Sequence, residues 1–187
     1  MKKNYNLRHI ILSGIFIALG VLLPLVLHFI PNVGPLLLPM HLPAMVAAFF
    51  LPPGYAVAIG FITPLLSSAI TGMPLMAPLP IAIIMAFEIG FYALVISLFR
   101  KLVFKARKNF FAPLIAVLPA MIIGRIIAGL AMFVATKIFL PSGPNPVAYV
   151  WGAIITGLVG IIAQLVLIPP LYRILIRVLP GWKDTQD

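Results

Sequence analysis

The sequence predicts an all-α integral membrane protein, a single transmembrane domain over residues 1–187 with six transmembrane helices and both termini in the cytoplasm. Three observations predict it. Hydrophobic residues make up 63% of the chain and charged residues only 9%, with a mean hydropathy of +1.20. A soluble domain carries roughly 25% charged residues, so this chain lacks the polar surface to coat a water-soluble fold. Apolar stretches recur along the whole length, separated by Pro- and Gly-rich or basic breaks. The basic residues gather on alternate breaks, as they do where loops meet the cytoplasmic membrane face.

Segment one runs from about Arg8 to Phe29. Lys2, Lys3 and Arg8 give it a basic start. Its apolar run from Ile10 to Ile30 is long enough to span at about 20 residues per crossing, and no small-residue cleavage site stands out at its end. It therefore reads as a transmembrane helix rather than a cleavable signal peptide. Segment two, Leu42 to Leu51, is short and crowded by Pro39, Pro43, Pro52 and Pro53. Segment three, Tyr55 to Ile70, is also short. The pair forms either two crossings or one re-entrant hairpin, and both counts leave the termini on the same side. Segment four runs from Ile81 to Phe99 and segment five from Pro113 to Leu140. Segment six runs from Ala148 to Leu179, and Pro169-Pro170 should kink or break it.

Loop charge orients the bundle. Arg100 to Lys108, read as the loop between segments four and five, holds five basic residues. The N-terminus adds Lys2, Lys3 and Arg8, and the C-terminus Arg173, Arg177 and Lys183. The stretches Pro31–Met40, Thr71–Pro80 and Pro141–Val147 hold none, so they fall outside. The formal charge of +10 suits anionic lipid rather than nucleic acid, because it is placed at the membrane faces. Trp151 and Trp182 near the two ends of segment six read as interfacial anchors or as packing residues. The outer stretches are rich in Pro and Gly. They form either stiff lids over an outward-facing cavity or plain chain reversals. Met73 and Met76 in the second suit an adaptable contact with a ligand or partner.

Glu88 and Arg125 are the most informative residues. The other two acidic residues, Asp184 and Asp187, lie in the last four positions. A charge inside hydrocarbon costs at least a few kcal/mol and marks a pathway, a binding site or a paired contact. Glu88 lies 12 residues before Arg100, and Arg125 lies 12 after Pro113. At 1.5 Å per residue both sit about 18 Å from the inner loop, so an ion pair between segments four and five is geometrically open. The pair either ties two helices or faces a cavity and meets a polar ligand. Tyr92, one helical turn after Glu88, is placed to bond Glu88 or a ligand, or to pack. Gly152, Thr156, Gly160 and Gln164 form a small and polar stripe expected to face protein, and a buried Gln164 amide needs partners. His28 and His41 flank the first outer stretch and read more readily as surface or loop-bonded residues than as metal ligands. Gly14 and Ala18, beside Ser13, have small-xxx-small spacing that admits a close helix partner.

The absences exclude several classes. No Lys follows a Gly, so no P-loop can form. There is no His-Glu-x-x-His, no paired membrane carboxylates and no Gly-x-Ser-x-Gly. Cysteine is absent, which removes disulfides and thiolate metal sites. The chain is therefore not expected to be an enzyme, and no cofactor or metal is expected. A proton-coupled secondary carrier of a small solute, titrating at Glu88, stays open as an alternative.

The run Leu38-Pro39-Met40-His41-Leu42-Pro43-Ala44-Met45 through Pro52-Pro53-Gly54-Tyr55 resembles the second-segment signature of energy-coupling factor (ECF) transporter S components. Gly60 to Ser68 leading into Thr71-Gly72-Met73-Pro74 is similar too, as are Met85 to Tyr92 and Met121 to Arg125. The resemblance covers nearly the whole chain. It implies a six-helix subunit in a bacterial cell membrane that binds a vitamin or related micronutrient. It also implies docking on a T subunit and two cytosolic ATPase subunits, which supply the ATP hydrolysis this chain cannot perform. Gly14 and Ala18 match the family's Ala-x-x-x-Ala docking motif, with Gly in place of the first Ala. The substrate site it implies maps onto Asn32, His41, Met73, Glu88, Tyr92, Arg125 and Gln164. Pantothenate, a B6 form and another small B vitamin are all compatible with it.

Overall fold

The computed structural model describes residues 5–27, 37–139, 143 and 145–178. Among these the only regular elements are helices, and there is no strand. Helix α1 spans Tyr5–Leu27, α2 His41–Phe50, α3 Pro53–Thr71, α4 Ile81–Lys105, α5 Leu114–Phe139, α6 Pro146–Thr156 and α7 Leu158–Val178. Five of them, α1, α3, α4, α5 and α7, are long and apolar enough to cross a membrane. Helix α2, at ten residues, is about 15 Å long and falls short of a bilayer core of about 30 Å.

Helix α4 is the centre of the bundle. It packs against α3 on one side and α5 on another, and α2 also lies on it. Helix α1 covers α3 and α2, α6 packs on α5, and α7 contacts α2, α5 and α6. The depth of α2 follows from its composition. His41-Leu-Pro-Ala-Met-Val-Ala-Ala-Phe-Phe50 is apolar all round, the pattern of an enclosed helix, and nine of its ten residues are buried. Phe49 and Phe50 pack on the Tyr172 ring of α7, with centroids 5.2 and 5.7 Å away.

Helices α3 and α4 meet through bare backbone. A Cβ added at Gly60 would lie 2.7 Å from Gly90 Cα and 2.8 Å from Gly90 N. The two glycines let the chains approach as close as small residues allow.

Two expectations are corrected. Arg100, Lys101 and Lys105 do not lie in a loop: α4 continues through them to Lys105. Lys, Arg and Leu are good helix formers, and no Gly or Pro interrupts the run before Asn109. Arg100 is also buried. Its Nη1 donates to the Leu51 carbonyl at 2.8 Å, just past the end of α2, and Ser97 Oγ donates to the Ala48 carbonyl at 3.3 Å. Together they satisfy carbonyls that a helix C-terminus leaves open.

The second correction concerns segment six. It breaks at Gly157, between α6 and α7, and not at Pro169-Pro170, which lie inside α7. Prolines are tolerated in membrane helices when neighbouring elements accommodate the freed backbone groups, and Pro169 is buried against the bundle. At Gly157 the break is set by packing. The Leu38 side chain fills the space beside it, so that a Cβ at 157 would lie 2.8 Å from Leu38 Cδ1. Thr156 Oγ1 also donates back to the Gly152 carbonyl at 2.7 Å, a bond that bends helices. The break splits the predicted stripe. Gly160 and Gln164 are buried, whereas Gly152 and Thr156 are exposed.

Candidate functional site

A buried polar knot sits where α2, α4 and α5 meet. Glu88 projects from α4 and is 2% exposed. Arg125 Nη1 on α5 lies 2.9 Å from Glu88 Oε1, the ion pair anticipated from matching depths. Tyr92, one turn along α4, donates its hydroxyl to the same oxygen at 2.9 Å. Isolated, either charge would be prohibitive at this burial; paired and hydrogen-bonded, they neutralise each other. The fit depends on Gly124. A Cβ there would overlap the Tyr92 ring, so the residue before Arg125 has to be bare for α5 to close over Tyr92.

His41 opens α2 beside this knot. Its ring packs on Tyr92 at 5.6 Å between centroids, and its Nε2 lies 3.7 Å from Glu88 Oε1. His41 is 2% exposed, so it is not the surface residue its sequence position implies. Neither ring nitrogen has a hydrogen-bond partner among the described residues. Arg125 Nη2 is likewise buried without a hydrogen-bond partner among them, so Glu88 is the centre of the knot, with Arg125 and Tyr92 at 2.9 Å and His41 at 3.7 Å from the same oxygen.

The His41 ring borders a cavity of about 300 Å³. Pro24 of α1, Leu38 to His41, Met73 and Pro74, Met85 of α4, and Ala153 with Thr156 of α6 line it. Each wall is held. Gly72 ends α3 in a left-handed turn (φ 73°), and its N–H bonds the Ser68 carbonyl, the usual glycine cap. Ser67 Oγ then donates to the Met73 carbonyl at 2.8 Å, and Thr71 Oγ1, which donates to the Ser67 carbonyl at 2.8 Å, accepts the Met73 N–H at 3.2 Å. On the opposite side Leu38 adopts φ 47°, and Gln164 Nε2 of α7 donates to its carbonyl at 3.3 Å. Asn145 caps α6 by accepting the Val147 N–H at 2.8 Å. That cap went unremarked in the sequence, although Asn followed by Pro is its ordinary signature.

Of the candidate residues, His41 and Met73 line this cavity. Glu88 and Tyr92 form the knot behind His41, and Gln164 fastens Leu38. Arg125 reaches Glu88 and otherwise borders a separate apolar groove of about 670 Å³ between α5, α6 and α7, alongside the mostly exposed Trp151. Met76 is exposed and does not line the cavity. Asn32 and His28 lie outside the described residues, as do Trp182 and most of the first and third outer stretches. Gly14 and Ala18 are exposed on α1, and nothing lies within 4 Å of a Cβ added at Gly14.

Comparison with known proteins adds one finding. No curated protein and no solved structure matches the chain. The family model for the substrate-specific component of ECF transporters matches residues 8–172. This is a family of transporter subunits and not of enzymes. Its members are helical membrane proteins, as the long apolar helices here require. With the match extending over almost the entire length, the chain belongs to the ECF transporter substrate-specific component family.

Proposed function

We propose that the chain captures a vitamin or related micronutrient from outside the cell and delivers it to a T subunit with two cytosolic ATPases. The observation that carries this reading is the cavity itself. It is a small apolar chamber bordered by the buried His41 imidazole, whose Nε2 lies 3.7 Å from Glu88 Oε1, in a member of a substrate-specific family. Ligand sites are of this kind, mostly apolar with a few placed polar groups. Counting α2 as a short internal crossing and α6 with α7 as one bent crossing, the chain passes the bacterial plasma membrane six times. Both termini and the basic α4–α5 connection then face the cytoplasm, and the cavity faces out. Glu88, Tyr92 and Arg125 support the chamber from behind, and Gln164 and Met73 hold or form its walls. Asn32 belongs to the adjoining outer stretch. Gly14 and Ala18 offer the bare surface on α1 against which a T-subunit helix would pack. The proton-carrier alternative is disfavoured, because protonating Glu88 would strand Arg125.

The test is uptake by cells that express the chain with or without a T subunit and paired ATPases. Import that requires all the partners, and that Gly14→Leu with Ala18→Leu abolishes without lowering the melting temperature, supports the reading. Import by the chain alone, driven by a pH gradient, refutes it.

A further inference from the structure

We propose that the turn between α4 and α5 is a binding site for an anionic phospholipid of the cytoplasmic leaflet. Arg107, Lys108 and Arg173 receive the headgroup, and Phe110 and Phe111 enter among the acyl chains. The proposal uses the topology given above and holds whatever the chamber takes.

The turn is built, not slack. Helix α4 ends at Lys105 and α5 begins at Leu114. Between them the Asn109 N–H bonds the Ala106 carbonyl at 2.9 Å, and Asn109 Oδ1 accepts the Phe111 N–H at 3.0 Å. An Asn side chain that bonds the backbone two residues on is a standard way to fix a turn. It buries Ala112 and Pro113 behind the turn and leaves the two phenyl rings in front. Phe110 is 43% exposed and Phe111 60%, with their rings edge to face at 5.2 Å. Two adjacent exposed phenyls at a chain reversal form an apolar patch that calls for a partner. At the rim of a membrane helix pair, the boundary between headgroups and acyl chains supplies one.

Charge selects the headgroup. Lys105, Arg107 and Lys108 are exposed around the same turn, and Arg173 of α7 joins them by donating Nη2 to the Lys108 carbonyl at 2.8 Å. Glu88 is the only carboxylate among the described residues, and it is held on Arg125 at 2.9 Å. Even both tail carboxylates, Asp184 and Asp187, would leave these four cations in excess. The set therefore attracts a net negative headgroup. A zwitterionic one would bring its ammonium among like charges with no acid to receive it.

The guanidiniums are also ordered. Arg107 lies over the Phe104 ring at 4.3 Å and bonds the Phe104 carbonyl at 3.3 Å. Arg173 stands 5.8 Å from the Phe110 ring. Arg173 is only partly buried, and its bond to Lys108 uses one of its five N–H groups. Guanidiniums held against rings lose less freedom when they meet a phosphate. Cations and exposed phenyls within one short turn match a molecule that carries phosphate and hydrocarbon together.

The experiment equilibrates the purified, detergent-solubilised chain with equimolar dioleoyl phosphatidylglycerol and dioleoyl phosphatidylcholine and reads the bound lipid by native mass spectrometry. The anionic lipid should be favoured by about fivefold or more, and salt should erode the preference. Arg107→Gln with Lys108→Gln leaves the Arg173 bond to the backbone in place and should remove most of the preference with an unchanged melting temperature. Lys3→Gln with Arg8→Gln removes the same charge from the start of the chain and should keep it. An equal loss in both double variants shows an effect of net charge alone and overturns the site. No preference in the unaltered chain also overturns it, and leaves the patch to an acidic face of a cytosolic partner. The chain has no cysteine, so Phe111→Cys places a single bimane label. In phosphatidylglycerol nanodiscs that label should be shielded from iodide, and quenching as complete as that of the free dye overturns insertion of the turn. None of these outcomes bears on the uptake assay, so the two readings stand or fall separately.

Discussion

Replacing Arg125 by alanine should be among the most damaging single changes in this protein, and replacing its partner as well should undo most of the damage. Glu88 is 2% exposed and its Oε1 lies 2.9 Å from Arg125 Nη1. At an effective dielectric constant of about 20 that separation corresponds to a Coulomb attraction of about 6 kcal/mol. Desolvation of both groups offsets much of it in the intact protein. Once the guanidinium is gone, the carboxylate keeps its desolvation cost and retains the Tyr92 hydroxyl at 2.9 Å and the His41 imidazole at 3.7 Å. Removing one member of a buried pair typically costs about 3–5 kcal/mol. For a chain of this size about 1 kcal/mol moves the midpoint by roughly 2–4 °C, so a loss on the order of 10 °C is expected. The assay is thermal unfolding of the detergent-solubilised protein, followed by its loss from the monodisperse peak on size exclusion. Glu88→Gln with Arg125→Met keeps an acceptor for Tyr92 and leaves no buried charge, and should recover at least half the shift. If Arg125→Ala melts within about 2 °C of the parent, or if the double variant is no better than the single one, the pair is not the brace described here.

Three further changes probe the packing by the same assay. Arg100→Ala removes a charged donor from the Leu51 carbonyl and should cost about 1.5–3 kcal/mol; an unchanged midpoint would show that the end of α2 needs no such cap. Gly124→Ala drives a methyl group into the Tyr92 ring and should cost about 1–3 kcal/mol, and Tyr92→Ala in the same chain should relieve the clash, so strict additivity of the two would count against it. Gly60→Ala sets a methyl group against the backbone of Gly90 and should cost about 3 kcal/mol or more, and no truncation of a neighbouring side chain should rescue it.

Much of this was legible in the sequence because hydrocarbon enforces simple rules. Helix positions followed from apolar runs, and α5 lies within a residue or two of its predicted bounds. The Glu88–Arg125 pair followed from two equal offsets along helices of opposite direction. Arg100 was missed because it stands at the head of a basic run and looks like one more surface charge. Only the fold shows that the end of α2 lies within its reach. The break in segment six was misplaced because Pro-Pro is the louder local signal. Tertiary packing outvoted it, since Leu38, more than a hundred residues away, wedges beside Gly157. The status of His41 was equally illegible. A histidine at the head of a short apolar run reads the same whether it faces water or, as here, is buried against Tyr92 and Glu88.

The contact between Gly60 and Gly90 has a mechanical consequence. Two rods that touch through their main chains have no side-chain layer between them to shear, so α3 and α4 behave as a single plate. The Glu88–Arg125 link bolts α5 to that plate. Met73 and Met85 ride on this fixed part, whereas Pro24, Leu38 and Thr156 belong to pieces outside it. The chamber therefore straddles a seam, and any change in its width falls on the side of α1, α6 and the Leu38 turn.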